Sequence, residues 1–251
     1  MSEVIDLVNP DERSGETPAL CQTPTATDIV QVIDLARQLR SLGSIVGAPG
    51  TGKTSALLWY KENRPGVHYA LMNPAQSTMT GMLTLVCQSL GIMCPPCCRD
   101  MHDAIRRWAE WSLAPERVLL IDEAQHLNDQ CLDELRCIYD QTGLPLVFSG
   151  NESLRDRFNG ARAAAFAQLT SRIVPRLDLK APTAADVRVL ARHAGAHEPK
   201  ALAYLEKWIG GTAGLRQVAS FLSLGRKVAG SGDIRLSHLK QAVAAITGAA
   251  R

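Results

Sequence analysis

Apolar positions along this chain recur in two rhythms. From Thr27 the run DIVQVIDLARQLRSLG places Ile29, Val32, Ile33, Leu35, Ala36 and Leu39 mostly at helical spacing, with Thr25 or Thr27 as its cap. Short apolar runs then fall near Ser44 to Val46, Val67 to Met72, Arg117 to Ile121, Pro145 to Phe148 and Ile173 to Leu179, separated by amphipathic stretches. Strands alternating with helices in this way predict a parallel α/β sheet sandwiched by helices. Beyond Pro182 the strands stop, and helical stretches follow, one opened by the capping pair Thr183 and Asp186 and another by Ser237 before HLKQAVAAI. The expected organisation is an extended arm over 1–25, broken by Pro10, Pro18 and Pro24, an αβα core over 26–180, and a small all-helical lid domain over 181–251. The glycines around Gly210 to Gly214 and Gly230 to Gly232 read as turns between lid helices.

Chemistry concentrates where the predicted strands end. The segment GAPGTGKT follows the first strand and opens the helix SALLWYKE, and it satisfies G-x-x-x-x-G-K-[ST] with Gly47, Gly52, Lys53 and Thr54. Its glycines let the backbone of Gly47, Ala48, Pro49, Gly50, Thr51, Gly52 and the following residues through Ser55 turn around phosphates, every one of them but Pro49 offering an N–H donor. Lys53 is placed to bridge the outer phosphates of ATP, and the Thr54 hydroxyl to bind Mg2+. In RVLLIDEAQHL an apolar strand delivers Asp122 and Glu123 at its C-terminal end, the edge at which open parallel sheets bind ligands. Asp122 is expected to hold Mg2+ through its water shell, and Glu123 to polarise the water that attacks the γ-phosphate.

Three further residues complete the expected site. Asn151, ending the strand PLVFSGN, is a neutral amide suited to orienting the same water or sensing the γ-phosphate, although Asn also ends strands simply because it makes turns. Arg172, in FAQLTSRIVPR, is the candidate finger for a neighbouring subunit's nucleotide, and Arg216, in GTAGLRQV, the candidate sensor within the same chain. Either arginine has a surface ion pair as its ordinary alternative.

Charge and cysteine content narrow the partners. With 27 basic against 25 acidic residues the net charge is only +2, so any nucleic-acid binding has to come from a local patch or from many copies acting together. The first residues lack the pattern of a signal peptide and no stretch reaches the apolar length of a bilayer span, so a cytoplasmic protein is expected, with no membrane partner and its seven cysteines reduced. Cys94, Cys97, Cys98 and nearby His102 offer one C-x-x-C pair, where a structural zinc site ordinarily needs a second; free thiols in a loop are the expectation.

Taken together, GAPGTGKT, LLIDEAQHL, LDELRCIYDQTGLPLVFSGNESL and FAQLTSRI resemble the phage Mu B family of transposition ATPases, from about residue 27 into the lid. That resemblance implies an AAA+ fold, ATP-dependent assembly into rings or helical filaments on double-stranded DNA, and delivery of target DNA to a partner transposase. It also implies that Arg172 matches the finger position and Arg216 the second sensor. Members of this family can carry an N-terminal helix-turn-helix domain, and only about 25 residues precede the core here, so DNA contact is expected from the core itself. The loop Asn73 to Thr80 and Arg99, Arg106 and Arg107 are the candidates for it. The last two equally suit the solvated face of a helix whose Ile105, Trp108 and Trp111 point inward. A nucleotide-gated switch in secretion or signalling, with no nucleic acid, would use the same motifs.

Overall fold

The computed structural model describes residues 21–111, 117–159, 166–209 and 214–248. Most of the expected arm and the turn at 210–213 lie outside the described residues. In chain order the elements are α1 (Pro24–Leu39), β1 (Leu42–Val46), α2 (Lys53–Asn63), β2 (Val67–Leu71), α3 (Met79–Leu90), α4 (Cys98–Trp111), β3 (Val118–Asp122), α5 (Asp129–Thr142), β4 (Leu146–Gly150), α6 (Glu152–Asn159), α7 (Ala167–Thr170), β5 (Ile173–Asp178), α8 (Ala184–His193), α9 (Pro199–Glu206), α10 (Gly214–Ala229) and α11 (Leu236–Thr247). No helix among the described residues is long and apolar enough to cross a membrane.

These elements divide into two compact units. One comprises Ile29–Gly47 with Tyr60–Asp178; the other comprises the described residues of Met1–Asp28, Ala48–Trp59 and Leu179–Arg251.

The first unit is built on one five-stranded parallel sheet in the order β2-β3-β4-β1-β5. The three central strands β1, β3 and β4 are buried at every position, which is why they read as continuous apolar runs rather than alternating ones. At one edge β5 alternates instead, with Ile173 and Pro175 inward and Val174, Arg176 and Asp178 outward; Pro175, lacking an N–H, is tolerated there. Leu42, Leu119, Ile121, Leu146 and Phe148 of the sheet pack with Leu83, Val86, Ile105, Leu132 and Leu135 of the covering helices in one core. Full burial of each such side chain contributes about 1.5–3 kcal/mol. Trp108 packs against this core with Arg117 stacked 4.1 Å over its ring. Trp111, expected to point inward, is instead 86% exposed, because it ends α4 beyond the last turn that the core covers. Cys98, expected in a loop, begins that helix.

The helical unit has its own core, in which Val187, Leu205, Val218, Phe221, Leu239 and Cys21 are buried together. Its helices start where local donors and acceptors are satisfied. Thr183 and Asp186 form the expected capping box on α8. Two starts differ from expectation. α1 begins at Pro24, whose missing N–H costs nothing in a first turn, and its cap is Thr23, whose Oγ1 accepts the Ala26 N–H at 3.1 Å. α11 begins at Leu236, one residue before Ser237, because the Glu198 carboxylate accepts the Leu236 N–H at 2.9 Å and no serine cap is required.

Asp186 is fully buried and carries three roles at once. It accepts from the Thr183 N–H at 2.8 Å, from the Thr183 hydroxyl at 2.7 Å and from the Thr25 N–H at 3.0 Å, so it fastens the start of α1 to α8. Burial alone would raise its pKa, but the donors from Thr25 and Thr183 together outweigh burial and hold it below the ordinary value. A carboxylate with a depressed folded pKa stabilises fully above its unfolded pKa of about 4 and loses that contribution as pH falls through the folded value. Asp186→Asn is therefore expected to cost about 1–3 kcal/mol at neutral pH. In urea unfolding, the gap between wild type and variant should close below about pH 4; a gap independent of pH would show that the charge does not matter.

Candidate nucleotide site

The turn from β1 into α2 is shaped by backbone requirements more than by side chains. Gly47, directly after β1, donates its N–H to the Gly150 carbonyl at 3.1 Å, pinning the start of the loop to the end of β4. Pro49 and Gly50 then reverse the chain, and Gly50 (φ 80°) and Gly52 (φ 92°) occupy the left-handed region. Space is not what demands glycine at position 52, since a Cβ there would meet nothing within 4 Å; the dihedral is. Helix α2 starts at Lys53, so its first-turn N–H groups, including those of Thr54 and Ser55, are presented at a helix N-terminus, where phosphate oxygens bind.

Lys53 is only 7% exposed. Its Nζ donates to the Ala48 carbonyl at 3.0 Å and lies 3.4 Å from Thr51 Oγ1, which itself donates to that carbonyl at 3.0 Å. The loop is thus wrapped around a single ammonium group. In the same unit the start of α10 is fastened to the loop: the Leu215 N–H donates to the Gly50 carbonyl at 3.0 Å. Gly214 (φ 51°) is required there, because a Cβ would lie 3.1 Å from the same carbonyl oxygen. Arg216 follows in the first turn of α10 and is exposed.

In the sheet unit, the strands converge on Asp122, the last residue of β3, which is fully buried. Its Oδ1 accepts from Ser149 Oγ at 2.7 Å and from the Glu123 N–H at 2.9 Å, and its Oδ2 accepts from the Tyr69 hydroxyl at 3.1 Å. Burial first, and then the Asp122 charge, push the Tyr69 hydroxyl far above its ordinary pKa, so it remains a donor. Ser149 and Tyr69 carry little signal in the sequence: Ser149 is a polar residue near the end of the otherwise apolar β4, and Tyr69 stands in the middle of β2 beside His68.

Glu123 is one of two non-glycine residues described with positive φ (53°). That conformation costs roughly 1–2 kcal/mol, and such residues concentrate at functional sites. A 3-10 turn follows over Ala124–His126, and within it Gln125 Nε2 donates to the Glu123 carboxylate while Gln125 Oε1 accepts the Asn151 N–H at 3.3 Å. Asn151 uses its own Oδ1 to cap α6, accepting from the Ser153 N–H and hydroxyl, each at 2.9 Å. Its Nδ2 is accordingly the part of the side chain suited to donating to a ligand.

Asp122, Glu123 and Asn151 therefore gather at the C-terminal edge of the parallel sheet, the edge from which the phosphate loop also leaves β1. Arg172 does not join them. It precedes Ile173, the first residue of β5, and so lies at the opposite edge of the same sheet, paired with Asp140 of α5 and donating to the Gln168 carbonyl. Asp140 also holds Arg136 at 2.6 Å.

The residues considered for DNA contact have local roles. Asn73 accepts the Ala75 N–H at 2.8 Å and Thr78 caps α3 through the Gly81 N–H at 3.2 Å. Arg106 pairs with Glu110 at 2.7 Å and with Asp103 at 3.8 Å, whereas Arg107 is exposed. Among the described residues no group of three or more His, Cys, Asp or Glu is placed to hold a metal ion, the cysteine cluster included.

Comparison with known proteins places this geometry. Residues 36–158 match the AAA domain family, and residues 171–246 match the family described as Mu B transposition protein, C terminal. The ATP-dependent target DNA activator B of Escherichia phage Mu is 31% identical over 184 residues, which is 70% of this chain and 56% of that protein. The Mu-like prophage FluMu DNA transposition protein B of Haemophilus influenzae is 28% identical over 179 residues, 70% of this chain and 62% of its own. The chain thus spans about six tenths of the length of the relatives it matches. The fold is shared more widely: an ORC2 protein of Aeropyrum pernix superposes with a TM-score of 0.65 at 16% identity, over 98% of this chain and 72% of that one, and Cdc6p of Pyrobaculum aerophilum with 0.64 at 13%, over 96% and 70%. An AAA domain match that takes in β1 to β4, and a Mu B C-terminal match that takes in β5 and the helices after it, make this chain a member of the Mu B family of AAA+ transposition ATPases.

Proposed function

We propose that this protein is an ATPase, converting ATP and water to ADP and phosphate, that assembles on double-stranded DNA in its ATP-bound form and presents target DNA to a transposase. The observation that carries the reading is the division of the site across the sheet. Asp122, Glu123 and Asn151 stand at the C-terminal edge and Arg172 at the opposite one. A protomer so built holds its base and sensor at one edge, while its arginine finger is positioned to serve a neighbour.

In this reading the loop N–H groups from Gly47 to Ser55 and the Lys53 ammonium bind the phosphates of ATP. Arg216, at the start of α10, reaches the nucleotide of its own chain, since Leu215 beside it is bonded to the phosphate loop. The donor set suits Mg2+: a carboxylate whose orientation is fixed by Ser149 and Tyr69, and a threonine hydroxyl at a helix start. Thr54 and Asp122 would hold it, and when bound it offsets phosphate charge and orients the γ-phosphoryl group. The Glu123 carboxylate accepts a proton from water as its oxygen bonds to the γ-phosphorus. The bond to the bridging oxygen of ADP breaks, and Asn151 Nδ2 and the neighbour's Arg172 offset the charge that develops. Because Arg172 completes a neighbour's site, assembly as a ring or filament and turnover are coupled.

DNA as the surface for assembly is supported by the relatives named target DNA activators and DNA transposition proteins. The small net charge of +2 fits binding summed over many protomers, each contributing weak phosphate contacts, with no base readout.

Sedimentation with duplex DNA under ATP, ADP and no nucleotide, at two salt concentrations, tests the reading. Large DNA-bound assemblies formed only with ATP and weakened by salt are expected. Absence of DNA binding in every condition would favour a nucleotide-gated protein switch instead. On saturating DNA, Arg172→Ala should lower kcat by about 10³-fold or more while leaving ATP binding intact, and wild-type turnover would remove its assignment as the finger. Ser149→Ala and Tyr69→Phe each take one donor from Asp122 and should raise the Mg2+ concentration for half-maximal turnover by about tenfold, as removal of an outer-shell partner does; an unchanged Mg2+ dependence would confine them to structural roles.

A further inference from the structure

We propose that Gln125 is a positioning residue for hydrolysis, holding the Glu123 carboxylate in place and tying it to the backbone of Asn151, so that the base follows the strand that senses the γ-phosphate. The inference rests on the ATPase reading above.

Three observations meet on this side chain. Its Nε2 donates to Glu123, its Oε1 accepts the Asn151 N–H at 3.3 Å, and Gly150 beside it has no side chain. The amide orientation is set by its partners, since a reversed Gln125 would turn its carbonyl toward a carboxylate and its NH2 toward an N–H. Glycine at position 150 leaves room for this contact: a Cβ there would lie 2.8 Å from Gln125 Oε1, and equally 2.8 Å from Leu154 Cδ2, and would displace both side-chain ends. The advantage of glycine is therefore steric and not conformational. Gln125 stands in a 3-10 turn immediately after the left-handed Glu123, so the backbone strain and the amide bridge together fix where the carboxylate points. Asn151 is the next residue after Gly150, and its Oδ1 is committed to capping α6 while its Nδ2 takes no part in that cap. A shift of Asn151 toward a ligand therefore pulls on Gln125 through the backbone N–H, and Gln125 in turn on Glu123. No charge of its own enters the reaction, and its two hydrogen bonds run to the Glu123 carboxylate and the Asn151 backbone, which separates its role from that of Glu123.

The test is steady-state ATP turnover by the full chain on saturating duplex DNA. Gln125→Leu keeps the volume and loses the bridge. It should lower kcat about 100-fold, the scale of a 1 Å misplacement, with KM for ATP within about threefold and a melting temperature within a few degrees of wild type. Gly150→Ala, which displaces Gln125 without removing its amide, should lower kcat in the same direction. Gln125→Glu replaces the amide donor with an acceptor facing the Glu123 carboxylate, so it should lower kcat as Gln125→Leu does, again with KM for ATP little changed. A merely structural role would lower the melting temperature in step with any loss of kcat. Wild-type kcat in Gln125→Leu or in Gln125→Glu overturns the proposal while leaving the ATPase reading intact. Absence of turnover in wild type itself, with Glu123→Gln indistinguishable from it, removes that reading and this inference with it.

Discussion

A carboxylate buried at the end of a central strand is tolerated only where donors surround it, and the sheet of this protein is arranged around one such group. Asp122 receives the hydroxyls of Ser149 from β4 and Tyr69 from β2, and the N–H of its own neighbour Glu123. Those donors come from the strands on either side, so the order β2-β3-β4 is needed for the acid to be satisfied. The same register that brings Ser149 beside Asp122 also places Gly150 to accept the Gly47 N–H, so one alignment of β1, β3 and β4 fixes both the acid and the origin of the phosphate loop.

Parallel strand direction then separates functions by edge. Everything that follows a strand end lies on one side of the sheet, and everything that precedes a strand lies on the other. Asp122, Glu123 and Asn151 follow strands; Arg172 precedes one. No rearrangement of side chains within the sheet unit can carry Arg172 across the length of β5. Under the proposed function a second copy supplies the arginine, and dependence of turnover on assembly then follows from this connectivity. The Asp140 carboxylate, shared by Arg172 and Arg136, holds the arginine at that outer edge at modest energetic cost, as expected of partly exposed ion pairs.

Much of this was legible in the sequence because the signals were periodic or stereochemical. Continuous apolar runs marked the buried strands to within one or two residues, and the G-x-x-x-x-G-K-T spacing named a loop whose second glycine, Gly52, takes a positive φ that needs glycine. The helix starts at Pro24 and Leu236 were less legible, since a cap can be supplied by a residue distant in sequence, as Glu198 does for Leu236. Trp111 misled for a related reason: helical spacing records which face a residue occupies, but not whether the core extends beneath that last turn. Ser149, Tyr69 and Gln125 were not legible as site residues, because their significance lies in which strand or turn stands beside them.

Gln125 illustrates how such a residue acquires a role from geometry alone. A free glutamate side chain samples several rotamers, and a base that must meet one water in line with a phosphorus gains from losing that freedom before the reaction begins. A hydrogen bond from a neutral amide removes the freedom without supplying a competing proton acceptor, which a carboxylate in its place would do, and without a full charge, which a lysine would add. The other end of the amide is anchored to the backbone that carries Asn151, a group fixed by the sheet and by the cap of α6. Under the proposed function, restraint of the base is thereby referred to the strand whose end carries the sensing amide, through one side chain and two hydrogen bonds.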